Sequence, residues 1–168
     1  HIDPIGFIML LFAGFGWGKP VNVNPRNYNR DITVEKADAI VSIAGPAMNI
    51  ILAFVFTAIY FIIYKTCGVL IVTNQALSII MQMIGYTISI NIGLGIFNLI
   101  PLPPLDGSKV IKPFLPYNAK EWFENNERIF YIIFVILWIT GIAGTIISPI
   151  INVVYTGIFN LAKLIFRV

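Results

Sequence analysis

Long uncharged runs alternate with short charged segments along this chain. The clearest runs cover residues 42–64 and 77–100, and each predicts a helix long enough to cross a bilayer. A third uncharged run, 129–162, would measure about 51 Å as one helix, which is too long for one perpendicular span. Its glycines and proline predict a break near residue 148 (Gly141, Gly144, Pro149). We therefore expect a span over 128–148 and an apolar helix over 150–166 that crosses the membrane or lies in its interface.

The N-terminal part of the chain follows a different pattern. Residues 4–18 are uncharged, but a helix of that length reaches only about 22 Å, so we expect a short or partial span. In the next segment, 19–25, valine alternates with asparagine between two prolines. This period of two, with proline at both ends, predicts an edge strand or an extended loop.

Composition places the chain among integral membrane proteins. Of its 168 residues 58% are hydrophobic and 11% are charged, and the mean hydropathy is +0.85. Soluble domains carry about 25% charged residues. We expect an all-α polytopic membrane protein with one domain, 1–168. The net charge of +3 is spread over loops, which argues against a nucleic-acid partner. Cys67 is the only cysteine, so no intrachain disulfide can form.

The positions of lysine and arginine predict the orientation in the membrane. The segments 19–41 and 104–128 are rich in basic residues (Lys19, Arg26, Arg30, Lys36; Lys109, Lys112, Lys120, Arg128), whereas 65–76 carries only Lys65. Basic loops stay on the cytoplasmic side. We therefore expect both long loops in the cytoplasm of a multi-pass cell-membrane protein, with Asp106 near the cytoplasmic face.

Two predicted spans each carry small and polar residues along one face. Ser42, Gly45 and Asn49 share a face of the first span, and the second span has an equivalent set (Asn91, Gly95, Asn98). Because a short connection makes these helices neighbours, the two faces can meet in a polar seam. Hydrogen bonding between helices is the simplest role for such a seam.

The second of these spans ends in a segment rich in proline. Pro101, Pro103 and Pro104 break the helix and free carbonyl groups upstream, and Asp106 follows directly. Freed backbone groups at membrane depth require protein or a water-filled cavity around them. An ionisable residue there indicates a functional site, although Asp106 could also simply cap the next helical turn.

At these residues the chain resembles the site-2 protease family of intramembrane zinc metalloproteases, peptidase family M50. Asn98-Leu-Ile-Pro-Leu-Pro-Pro-Leu-Asp106-Gly107 looks like the family signature, and Gly45-Pro-Ala-Met-Asn49 looks like its Gly-Pro-x-x-Asn motif. Residues 1–6 and 16–21 are similar to the compact bacterial branch without a PDZ domain. The resemblance implies a site-2-protease-like transmembrane core with three helices.

The resemblance also implies a metal site. In that family two histidines of a His-Glu-x-x-His helix and the aspartate of the Asp-Gly motif hold zinc, and the glutamate is the general base. This ligand set leaves a fourth position open for water, which zinc activates. Asp106 would be the third ligand. Asn98 would lie near the metal, where its amide could hold the substrate carbonyl or the tetrahedral intermediate.

The resemblance assigns a role to the extended segment as well. A transmembrane substrate must unwind before cleavage, and an edge strand can pair with the unwound chain. Residues Val21, Asn22, Val23 and Asn24 are the candidates for this contact. A structural hairpin is the alternative.

The chain departs from the family pattern at its N-terminus. The only histidine is His1, which matches neither zinc-binding histidine, and no His-Glu-x-x-His occurs. We expect the catalytic helix upstream of His1, so that the chain as given is an inactive part of a zinc endopeptidase acting on membrane-anchored proteins. The alternative is a non-catalytic membrane module that binds partner helices. Half of a transporter with a discontinuous helix ranks last.

Overall fold

The structure is a computed structural model that describes residues 3–13, 18, 23–28, 31–103 and 105–167. Contacts divide the chain into two units, His1–Val34 and Glu35–Val168, and each is described by itself. Apart from one bridge residue, Gly18, the regular secondary structure of the described ranges is helical, in line with the expected all-α class.

The first unit contains one short helix and one turn of 3-10 helix. Helix α1, Pro4–Ala13, begins with Asp3, whose carboxylate accepts the N–H groups of Ile5 (2.9 Å) and Gly6 (3.1 Å). Its 10 residues reach about 15 Å, less than the short span expected over 4–18. Residues 14–17 lie outside the described part.

The expected strand near 19–25 is not supported in the described residues. Val23 has no regular structure, and Asn24 has extended dihedral angles but caps a 3-10 helix, Pro25–Asn27. The Asn24 side chain accepts the N–H of Arg26 at 3.0 Å. This short-range capping bond, combined with Pro25 at the first helical position, favours a turn over a continued strand.

The second unit begins with its longest helix, α2, Val34–Thr73. It contains the predicted span 42–64 and continues past Lys65, where we expected a connection. The helix is kinked at Cys67, which has φ −122° and ψ 17°. Beyond the kink it ends before Asn74, whose side chain accepts the N–H of Leu77 and so begins α3.

Helix α3, Gln75–Asn98, returns from that turn and leads to the proline-rich segment. Three short elements follow: α4 (Asp106–Ile111), a 3-10 helix (Lys112–Phe114) and α5 (Tyr117–Asn125). Lys120 of α5 forms an ion pair with Glu35 in the first turn of α2. This pair places α5 at the same end of the second unit as the start of α2.

The last two helices are α6, Glu127–Ile139, and α7, Ile142–Phe166. The break that we expected near residue 148 lies at Gly141, which has a positive φ of 75°. A glycine adopts this left-handed conformation without the steric cost of a Cβ. Pro149 lies inside α7, and membrane helices tolerate an internal proline where neighbouring groups satisfy the backbone that it frees.

The core of the second unit lies where three long helices meet. Ala53 of α2 and Ile88 and Ile92 of α3 are fully buried, and apolar side chains of α7 pack against them (Ile151, Val154, Tyr155, Ile158, Phe159). Helices α2, α3 and α7 are also the three described helices that are long and apolar enough to cross a membrane. Their packing fixes the end of α3, where the candidate site begins.

Candidate metal centre at the end of α3

The proline-rich segment turns the chain sharply after Asn98. The last turn of α3 tightens, with the N–H of Leu99 donating to Ile96 O and that of Ile100 to Phe97 O, both at 3.1 Å. Leu102 N–H then donates to Ile100 O at 2.8 Å. The prolines explain this course, because Pro101 and Pro103 have no N–H to continue the helical ladder.

Asp106 is the first residue of α4 and is partly buried. Among the described residues its carboxylate accepts no hydrogen bond and forms no ion pair. The N-cap position belongs to Leu105, and no side chain caps this helix. The carboxylate is therefore not used as a helix cap, and its oxygens are available to a ligand.

Gly107 brings α4 into direct backbone contact with the end of α3. A Cβ at this position would lie 2.3 Å from Leu99 O and 2.4 Å from Ile100 O. Sequence reasoning gave Gly107 no role beyond the Asp-Gly motif. The sequence shows a glycine after the aspartate, but the close contact that requires a glycine there is visible only in the fold.

Asn98 is the last residue of α3 and directly precedes Leu99, which forms this contact. Its side-chain nitrogen donates to Leu94 O at 3.0 Å, which fixes the amide against its own helix. The side-chain oxygen and the second N–H are left for other partners. Asn98 and Asp106 thus flank the same contact, since Asn98 precedes Leu99 and Asp106 precedes Gly107.

Helices α2 and α3 approach closely at Gly95, but α2 makes this contact with Pro46 and Ile50 and not with the face predicted from Ser42, Gly45 and Asn49. A Cβ on Gly95 would lie 3.2 Å from Pro46 O and 3.0 Å from Ile50 Cδ1, so the helices approach closely there. Asn91 donates to Thr87 O of its own helix at 2.8 Å. Asn49 makes no hydrogen bond with any described residue, so the two asparagines are not joined.

An apolar cavity lies beside the proline-rich segment. Its volume is about 90 Å³, and its walls come from the end of α3, the following loop, α6 and α7 (Phe97, Ile100, Leu102, Leu105, Phe134, Leu137, Ala143, Ile146, Ile147). No polar side chain lines it, so the cavity offers no metal ligand. Leu105 is only 7% exposed, which anchors the residue before Asp106.

Asp106 is the predicted zinc ligand that lies within the described residues. Asp106 offers a carboxylate with free oxygens, an accepted zinc ligand. No group of three or more His, Cys, Asp or Glu side chains that could hold a metal occurs in the described part of the chain. The described part of the chain does not include His1, Val21 or Asn22. The first unit contains Val23 and Asn24.

Comparison with known proteins gives a family model and two relatives that match this chain. The model of peptidase family M50 matches residues 21–141, which include the proline-rich segment and Asp106. The Bacillus subtilis protein named "Putative zinc metalloprotease YwhC" is 34% identical over 168 residues, which cover 99% of this chain and 74% of that protein. A protein of Methanocaldococcus jannaschii with the same description is 33% identical over 66% of this chain and 52% of its own length. No solved structure shows significant similarity.

Proposed function

Because the chain belongs to peptidase family M50, the site-2 protease family, we propose that it forms part of an intramembrane zinc endopeptidase. Its substrates are membrane-anchored proteins, which it cleaves within or near the bilayer. The observation that carries this proposal is the Asp106 carboxylate. It has no partner among the described residues and follows a helix that is broken by prolines.

Asp106 is the zinc ligand that this chain contributes. Bound zinc would supply the Lewis acidity that activates water at neutral pH. A catalytic zinc takes three protein ligands, so two more are needed, together with a general base. In this family a His-Glu-x-x-His segment provides them.

Asn98 acts on the substrate rather than on the metal. Its amide is held by the bond to Leu94 O, yet keeps one N–H and the oxygen free. An N–H held in place can donate to the substrate carbonyl or to the oxyanion that develops from it. The position of Asn98 beside the Gly107 contact supports this role.

The proposal includes an orientation in the membrane. The Glu35–Lys120 pair supports a common side for the first turn of α2 and the segment between α3 and α6. The segment between α3 and α6 is rich in basic residues, which favour the cytoplasm. Asp106 would then lie near the cytoplasmic face of a multi-pass protein in the cell membrane.

We also propose that Val21 to Asn24 contact the substrate, although Val23 and Asn24 do not form a strand beforehand. Val23 is exposed, so it is open to an incoming chain. Replacing both Val21 and Val23 with proline should abolish cleavage while the protein still folds. Unchanged cleavage would remove this segment from the mechanism.

The test of the whole proposal is Asp106→Asn in the protein expressed from its full reading frame. Zinc content and cleavage of a membrane-anchored substrate should fall together, because the amide is a weak zinc ligand. Glu121→Gln, an exposed change in α5, is the matched control and should alter neither. Full zinc occupancy and turnover in Asp106→Asn would contradict the proposal. A wild type without zinc and without cleavage would favour the non-catalytic module.

A further inference from the structure

Asp106 lies between two residues that are held by different contacts. On one side, Leu105 is buried in the wall of the apolar cavity, and its N–H donates to Leu102 O at 2.8 Å. On the other side, Gly107 lies against the end of α3. The backbone of Asp106 is therefore fixed from both directions, although its carboxylate has no hydrogen bond of its own among the described residues.

The contact at Gly107 leaves no space for a side chain. A Cβ would stand 2.3 Å from Leu99 O, 2.4 Å from Ile100 O and 2.4 Å from the Leu99 carbonyl carbon. Real Cβ atoms essentially never come within 3.0 Å of such atoms. All three are backbone atoms, so rotation of a neighbouring side chain cannot relieve the overlap. Any residue other than glycine must move α4 away from α3.

The end of α3 is the less mobile partner in this contact. Leu99 and Ile100 are tied by their N–H bonds to Ile96 O and Phe97 O, and Pro101 restricts the next residue. Helix α4 has only six residues. The displacement would therefore fall mainly on the first turn of α4, which carries Asp106.

We propose that Gly107 is a positioning residue for Asp106. By having no side chain it lets α4 close onto the carbonyls of Leu99 and Ile100, and this closeness sets where the carboxylate stands relative to zinc. The inference rests on the proposed function, because it takes Asp106 as the ligand. It adds that the distance between α3 and α4 tunes the strength of metal binding.

The test compares Gly107→Ala with Gly157→Ala in the protein expressed from its full reading frame. Gly157 lies in α7 with nothing within 4 Å of its Cβ position, so alanine fits there. Zinc affinity is measured with a competing chelator, alongside turnover of a membrane-anchored substrate and the midpoint of unfolding. In Gly107→Ala we expect zinc affinity and kcat at least tenfold lower in folded protein, with KM nearly unchanged. Gly157→Ala should match the wild type in zinc affinity and turnover, with an equal or higher midpoint of unfolding.

A second variant covers the case in which Gly107→Ala does not fold. Asp106→Glu keeps the carboxylate but moves it by one methylene, at a partly exposed position. If the placement is tuned, zinc affinity should also fall about tenfold. Wild-type zinc affinity in Asp106→Glu, or in folded Gly107→Ala, would overturn the positioning role. Unchanged zinc binding and cleavage in Asp106→Asn would instead overturn the proposed function itself.

Discussion

Gly95 of α3 lies against the backbone carbonyl of Pro46 in α2, where a Cβ would come within 3.2 Å of the oxygen. Pro46 is fully buried and Gly95 is buried, so this is a tight point of contact between the two helices. Small residues let membrane helices approach closely, and dispersion contacts then stabilise the pair. The contact lies one helical turn before Asn98, so it also helps to place the end of α3.

Gly95→Leu should therefore destabilise the protein. The new side chain would meet Ile50 and the Pro46 carbonyl, and overpacking of this kind costs about 1–3 kcal/mol. Gly85→Leu is the control on the same helix, since nothing lies within 4 Å of its Cβ position. Reversible unfolding in mixed micelles measures both. Equal stability of the two variants would show that α2 and α3 do not pack at Gly95.

The sequence predicted the helices better than the contacts between them. Uncharged runs mark α2 and α3, because a bilayer requires about 20 apolar residues in succession. The shared face of Asn91, Gly95 and Asn98 led us to expect a polar seam with α2, but the contact that Gly95 makes is with Pro46 and Ile50. The pattern could not show that glycine would make the contact while Asn91 bonded to its own helix. That choice depends on the distance between two backbones.

The same limit applies to the candidate site. The prediction that Asp106 is a metal ligand rests on prolines and an aspartate that are adjacent in the chain. Position 107 requires a glycine because it lies against the backbone of Leu99. The sequence does not show that the chain turns back to make this contact.

Lys65 links α2 to the end of α7. Its ammonium group donates to Phe166 O at 3.0 Å, across 101 positions of sequence. A cation at a helix C-terminus satisfies a free carbonyl and interacts favourably with the helix dipole. Lys65→Met should lower the free energy of unfolding by about 1 kcal/mol, because both effects are lost.

Comparison with Lys163→Met separates the hydrogen bond to Phe166 O from the interaction of a positive charge with the helix dipole. Lys163 is in the last turn of α7, and no hydrogen bond from its side chain is among those described, so its removal deletes charge alone. We expect the smaller loss there, and faster amide exchange at the end of α7 only in Lys65→Met. Equal losses in both variants would mean that the bond to Phe166 adds nothing.

The Glu35–Lys120 pair should contribute little energy but report on topology. Its side chains are 51% and 22% exposed, and exposed ion pairs contribute about 0.2–1 kcal/mol. A double-mutant cycle with Glu35→Gln and Lys120→Gln should give a coupling in that range, reduced at high salt. The same cycle between Glu35 and Lys112, which pairs with Glu124, should give none. Absence of coupling between Glu35 and Lys120 would separate α5 from the start of α2.

The break between α6 and α7 depends on the left-handed conformation of Gly141. Gly141 has φ 75°, so alanine there should cost about 1–2 kcal/mol through contact of its Cβ with the backbone. Gly144 lies three residues later in helical conformation with open space around it, so Gly144→Ala should stabilise by about 0.5–1 kcal/mol. Gly141→Asn should cost less than Gly141→Ala, because asparagine tolerates the left-handed region. Reversible unfolding of the three variants measures these differences in stability. A neutral Gly141→Ala would mean that the helix continues through residue 141, as a single span over 128–148 requires.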